Sequence, residues 1–112
     1  MVLIFTIFFS MSSCEDEDDF FQADLKVYVS GTLSSNPRSG LRVTVYTTEN
    51  DAENEVNEYT STQITDDDGF VFFQNLEHNV RYWVRVNSVL IKNIKRSGTL
   101  RVGLNEMSMS IL

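Results

Sequence analysis

Four groups of side chains in this 112-residue chain have the types and spacing to do chemistry. Cys14 is the sole cysteine and His78 the sole histidine, which leaves no internal disulfide and no ligand set for a Cys/His zinc site. Asp66, Asp67 and Asp68 could offer hard oxygen ligands to Ca²⁺, but the acid spacing and distal glutamate of a calcium loop are missing. His78 follows Leu76 in a loop, and no nucleophile and orienting acid can be assembled around it. The fourth group is different in kind. Phe70, Phe72, Arg81, Trp83 and Arg85 combine large rings with guanidinium groups, the composition of binding hot spots. Binding is therefore expected rather than catalysis, with no catalytic residue, no metal and no cofactor.

Strands must position these residues. The chain holds 12 Val, 6 Ile and 9 Thr against 2 Ala, so β-branched residues dominate and a helical bundle is excluded. From Asp24 onward apolar residues recur with period two. Leu25, Val27 and Val29 form one face of a first strand that ends at Gly31, and Leu41, Val43 and Val45 one face of a second. Further strands are expected over 59–65, 70–74, 81–88 and 100–112, with a shorter one at 89–94. Asp66–Gly69 reads as a tight turn, and the acidic stretch 48–58 as a long exposed connection. Alternation assigns Val43, Val45, Val71, Phe73, Leu76, Tyr82, Val84 and Val86 to one interior. It leaves Phe70, Phe72, Arg81, Trp83 and Arg85 outside, with Tyr28, Arg42 and Tyr46 outward on the first two strands. The segment Leu100, Val102, Leu104, Met107 and Met109 is the alternative cover for part of that outer surface. The expected fold is all-β: a single antiparallel sandwich of six or seven strands.

The N-terminus carries an address. Residues 2–11 contain eight apolar side chains, and no charge occurs before Glu15. This run is too short to span a bilayer and has the length of a signal peptide's hydrophobic region. With Ser12, Ser13 and then Cys14, it resembles a bacterial lipoprotein precursor. Met11 stands where that pattern usually has leucine, and no Lys or Arg precedes the run. The resemblance implies cleavage before Cys14 and lipidation there. Glu15, Asp16, Glu17, Asp18 and Asp19 follow without a break, a tract whose like charges keep it from folding. It resembles the acidic export signal of surface lipoproteins in some Gram-negative bacteria, which implies an outer-membrane anchor facing the cell exterior. The organisation expected is a signal peptide at 1–13, lipidated cysteine and acidic tether at 14–24, and sandwich domain at 25–112.

Within the domain, Val29-x-Gly31, Pro37, Gly40, Val43-x-Val45, Thr65-Asp66-x-Asp68-Gly69-x-Val71-x-Phe73-x-x-Leu76 and Tyr82-x-Val84-x-Val86 follow one pattern. It resembles the carboxypeptidase regulatory-like, transthyretin-related (prealbumin-like) and collagen-adhesin B-type (Cna-B) modules over residues 25–87. An internal Lys–Asn isopeptide bond, known in some collagen-adhesin modules, would have Lys26 and Asn105 as counterparts, yet alternation puts Lys26 on the solvent side. Transthyretin-related hydrolases need histidines and a Tyr-Arg-Gly-Ser terminus, whereas this chain has a lone His78 and ends Ser108-Met109-Ser110-Ile111-Leu112. The resemblance thus implies a scaffold rather than an enzyme. The expected function is a lipid-anchored, non-enzymatic accessory or interaction module on the outer-membrane surface; the alternative is a small glycan-binding module using exposed aromatics. Its expected partners are membrane lipid through Cys14 and a protein or glycan at the cell surface. The net charge of −7 disfavours nucleic acid.

Overall fold

A computed structural model of the chain describes residues 22–89 and 91–112. The signal peptide at 1–13, Cys14 and the tract Glu15–Asp19 lie outside these residues. Among the described residues, seven strands and one short helix follow in order: β1 Gln22–Gly31, β2 Arg42–Tyr46, α1 Glu49–Asn54, β3 Gln63–Ile64, β4 Phe70–Glu77, β5 Trp83–Asn87, β6 Lys92–Arg96 and β7 Gly103–Ile111. They form two sheets, one in the order β4-β1-β7 and the other β3-β2-β5-β6. The all-β sandwich expected from period-two alternation is the fold observed.

Its core is the alternating set itself. Val27, Val29, Val43, Val45, Phe73, Leu76, Tyr82, Val84 and Val86 are all buried between the sheets, with Leu100, Met109 and Ile111 closing one side. Tyr82 is the one core residue with a polar end, and its hydroxyl accepts the Glu77 N–H at 3.0 Å. Burial, reinforced by the nearby Tyr59 hydroxyl, raises the Tyr82 phenol above its ordinary value.

Several boundaries differ from expectation: β4 runs on to Glu77, β5 is shorter at both ends, and the short strand expected at 89–94 is Lys92–Arg96. β1 opens at Gln22 and fully buries Ala23, so residues 22–24 belong to the sandwich rather than to a tether. Of the strand expected at 59–65 only Gln63–Ile64 pairs, and the strand expected at 100–112 begins at Gly103. One pairing also departs from the antiparallel pattern, for β1 and β7 run parallel. The cause is chain direction. β6 ends where β1 begins, so β7 sets out along β1 and can join its free flank only in parallel.

Local chemistry fixes the β3–β4 turn. The Asp66 carboxylate accepts the N–H groups of Asp68 and Phe70, both at 2.9 Å. Gly69 sits at φ +83°, where an added Cβ would lie 2.7 Å from the Val29 carbonyl oxygen. The three aspartates therefore build a turn. In the middle of β4, a register shift opposite Ala23–Leu25 coincides with Asn75 at φ 64°, and the Asp24 side chain accepts the Asn75 N–H.

The two edges of the four-stranded sheet are guarded in different ways. β3 is two residues long. β6 places Asn93 and Lys95 on its core-facing side, opposite Val86 and Val84, and they donate to the β7 carbonyls of Ser110 (2.6 Å) and Ser108 (2.8 Å). Those two side chains bridge β6 to β7 where no ladder joins them.

Candidate functional site

The two outer faces of the sandwich are finished differently. On the four-stranded sheet, Thr44, Tyr46, Trp83, Arg85 and Asn87 point away from the core, and α1 lies across them. Thr48 caps the helix, its hydroxyl accepting the Asp51 N–H at 3.1 Å, and Glu49 and Asp51 place negative charge in the first turn. Glu55 ends it in the left-handed conformation, and the last turn carries no basic residue. Arg85 supplies that missing cation from β5. One of its terminal nitrogens donates to the carbonyls of Ala52 and Glu53 at 2.9 and 3.0 Å. The other meets the Glu55 carboxylate at 3.2 Å, and Nε donates to Asn87 Oδ1 at 2.8 Å.

Further links complete the latch. Lys92 pairs with Glu53 at 2.8 Å, and the lysine's hydrogen bond and charge hold that carboxyl below its ordinary pKa. Arg42 and Asn87 both reach Glu55. The acidic stretch and the basic last third of the chain therefore neutralise each other within one molecule. Two expectations are corrected here. Residues 48–58 are not simply an exposed connection but carry a capped helix docked on a sheet. Arg85 and Tyr46, expected outside, are only 8% and 2% exposed because that helix covers them. Burial also raises the Tyr46 phenol pKa, with Glu55 adding to the effect. A cleft of about 310 Å³ beside the helix is lined by Arg85, Asn87, Ser88, Val89, Ile91 and Lys92, but its cations are already engaged by Glu53 and Glu55.

Among the described residues, no helix covers the three-stranded sheet. Its outer rows run Phe72–Lys26–Glu106 and Phe70–Tyr28–Ser108 across β4, β1 and β7. Tyr28 and Phe70 pack with ring centroids 5.0 Å apart and planes tilted by 46°, while Lys26 Nζ sits 4.3 Å from the Phe70 centroid. Phe72, beside them, is 40% exposed. The C-terminal segment does not fold over these rings. It lies flat beside β1 as β7, with Met109 and Ile111 in the core and Leu104 outside.

The five residues expected to form one patch are thus divided. Phe70 and Phe72 share the bare face, whereas Trp83 and Arg85 lie on the opposite outer face of the molecule. Trp83 is half-buried there, with the Arg96 guanidinium 5.7 Å from its ring. Arg81 precedes β5 and donates to Thr99. Sequence reasoning missed the roles of Lys26 and Arg96 beside these rings; the only signal was their place in the alternation, since cross-strand register is not written in either strand alone.

Lys26 and Asn105 do not meet. Lys26 is opposite Glu106, and Asn105 is opposite the inward-facing Leu25, so the two side chains occupy opposite faces. Asn105 is a turn-builder: it accepts the Arg101 N–H and donates to the carbonyls of Asp24, Arg101 and Gly103. His78 is half-buried in the β4–β5 connection.

No family model matches the chain, and no curated protein does. Solved structures do share its fold. The Bacillus anthracis TIE protein superposes with a TM-score of 0.56 at 18% identity, over 78% of this chain and 16% of that one. BcpA, the major pilin subunit of Bacillus cereus, gives 0.52 at 10% identity, over 80% and 29% respectively. This chain spans less than a third of either protein's length, and the likeness is one of fold.

Proposed function

We propose that the chain is a non-enzymatic interaction module of the bacterial cell surface, anchored through a lipidated Cys14 and binding a protein partner with the outer face of its β4-β1-β7 sheet. The observation that carries the binding role is the asymmetry of the two faces. One has Arg85 and Tyr46 covered by the chain's own helix, while on the other, with no helix over it among the described residues, half-buried Lys26, Tyr28 and Phe70 and exposed Phe72 stand in two adjacent rows. Aromatic side chains beside a cation, on a rigid sheet, are the elements of an interface hot spot. The 46° tilt between Tyr28 and Phe70 offers no flat aromatic platform for the C–H face of a sugar, which favours a protein over a glycan. Anchoring rests on the apolar run, the small residues before Cys14 and the acidic tract after it. In this reading Glu15–Asp19 direct the domain outward and hold it clear of the lipid, and a sandwich of similar fold within a major pilin subunit supports a place at the cell surface.

Two experiments test the halves separately. Cys14→Ala should convert a detergent-partitioning protein into an unprocessed or soluble one, and an unchanged fractionation pattern would refute the anchor. For the face, Lys26→Ser combined with Tyr28→Ser should abolish co-purification of a surface partner while the melting temperature changes little. Retained capture by the double variant would remove this face as the docking site, and capture of glycan alone would favour the carbohydrate-binding alternative.

A further inference from the structure

One edge of the sandwich is left open in its middle. Val29 donates to the Gly69 carbonyl, and β1–β4 register then makes Val27–Val71 and Leu25–Phe73 the hydrogen-bonded pairs. Alternation turns the backbone groups of Phe70, Phe72, Gln74 and Glu77 away from β1. Those at the ends are occupied: Phe70 bonds Asp66 through both its N–H and its C=O, and the Glu77 N–H goes to the Tyr82 hydroxyl. Among the described residues nothing hydrogen-bonds the outward groups of Phe72 and Gln74. Strand β4 also lacks the usual edge defences, with neither Pro, Lys nor Arg in its eight residues, and Glu77 its only charge.

We infer that β4 is a self-pairing edge, at which a second copy of this chain adds its own β4 in antiparallel register. The choice of occupant comes from the arithmetic of the open groups. A two-fold axis through Phe73 sets Phe72 of each copy against Gln74 of the other, and those two pairs satisfy the outward N–H and C=O of all four residues. No other antiparallel self-pairing does so, because moving the axis by half a residue sets inward-turned groups against outward ones, and moving it by one sets Gln74 against the occupied groups of Phe70 or Phe72 against Leu76, whose register is with Ala23 of β1. The result is a continuous six-stranded sheet, β7-β1-β4 with its two-fold mate, across which the rows of Tyr28, Phe70 and Phe72 continue. The ladder is short, so association is weak and concentration-dependent. In this register the Asp66–Asp68 turn of one copy falls beside Glu77 of the other, so added salt strengthens the pairing by screening like charges.

Disulfide trapping reads the register directly. In the full chain carrying Cys14→Ser, mixing Phe72→Cys molecules with Gln74→Cys molecules under mild oxidation should give the mixed dimer several-fold above either homodimer. Mixed and homodimeric products in statistical proportion would overturn the inference. Gln74→Pro removes only an outward N–H, so β4 keeps its ladder to β1 while self-association at high concentration should be lost. Association of the folded proline variant equal to the parent's would also refute the pairing; if that variant fails to fold, the trapping result decides alone. Both experiments are read on the purified protein with no partner present, so the outcome is independent of the partner-binding role proposed for the sheet face.

Discussion

Replacing Phe73 with alanine should destabilise the domain by about 3–5 kcal/mol, the usual cost of emptying a buried aromatic site. Phe73 is 1% exposed and lies on the inner face of β4, in register with Leu25 and within the same core as Val27, Val84 and Val86. Its neighbour supplies the control. Phe72 has the same side chain one position away but points outward at 40% exposure, so Phe72→Ala should cost under about 1 kcal/mol. Urea unfolding of the two variants measures the contrast. A domain of this size has only about 5–15 kcal/mol of total stability, so Phe73→Ala is followed at low temperature, with Phe73→Leu as the milder variant. Equal losses at the two positions would mean that the β4 register is wrong, since a slip by one residue exchanges the two faces.

That contrast shows what the sequence made legible. Alternation within a strand reports which side chains share a face, and every residue it assigned to the interior, from Val43 to Val86, is buried there. It does not report which sheet a strand joins. Phe70 and Phe72 on β4 and Trp83 and Arg85 on β5 are all outward, but β4 and β5 belong to different sheets, so outward means opposite directions. A patch inferred from two consecutive strands was therefore split in two by the topology. The parallel β1–β7 pair was hidden for a related reason, because period two is the same whichever way the partner runs.

The helix was hidden more deeply. Six residues cannot hold a helix in water on their own, because nucleation outweighs the few bonds formed. The sequence does carry half of its signature: Thr48 as the cap, acids in the first turn and Ala52 as the one buried side chain. The other half is more than thirty residues downstream, where Arg85 stands ready for the last carbonyls. Read in isolation, 48–58 is a charged connection; read with Arg85, Lys92 and Arg42, it is the cover of a sheet.

Arg85→Met should therefore release α1 while leaving the sandwich folded. The substitution keeps much of the apolar length of the side chain and removes the fork, so the carbonyls of Ala52 and Glu53 and the Glu55 carboxylate all lose a charged donor. Hydrogen bonds of this kind put the loss at about 2–4 kcal/mol. Most of it should appear locally, as faster amide exchange at Ala52 and Val56, whose N–H groups bond within the helix and its C-cap. The β5 amides should remain protected. Lysine is a weak substitute, since a single ammonium cannot serve two carbonyls, a carboxylate and Asn87 in one plane. High salt separates this latch from a surface ion pair. Lys92–Glu53 is about half exposed on both sides and should weaken with screening, whereas the Arg85 contacts are largely shielded and should persist. Equal exchange at Ala52 in Arg85→Met and the parent chain would show instead that burial of the Ala52 methyl alone seats the helix, and that Tyr46 and Thr44 stay covered without the cation.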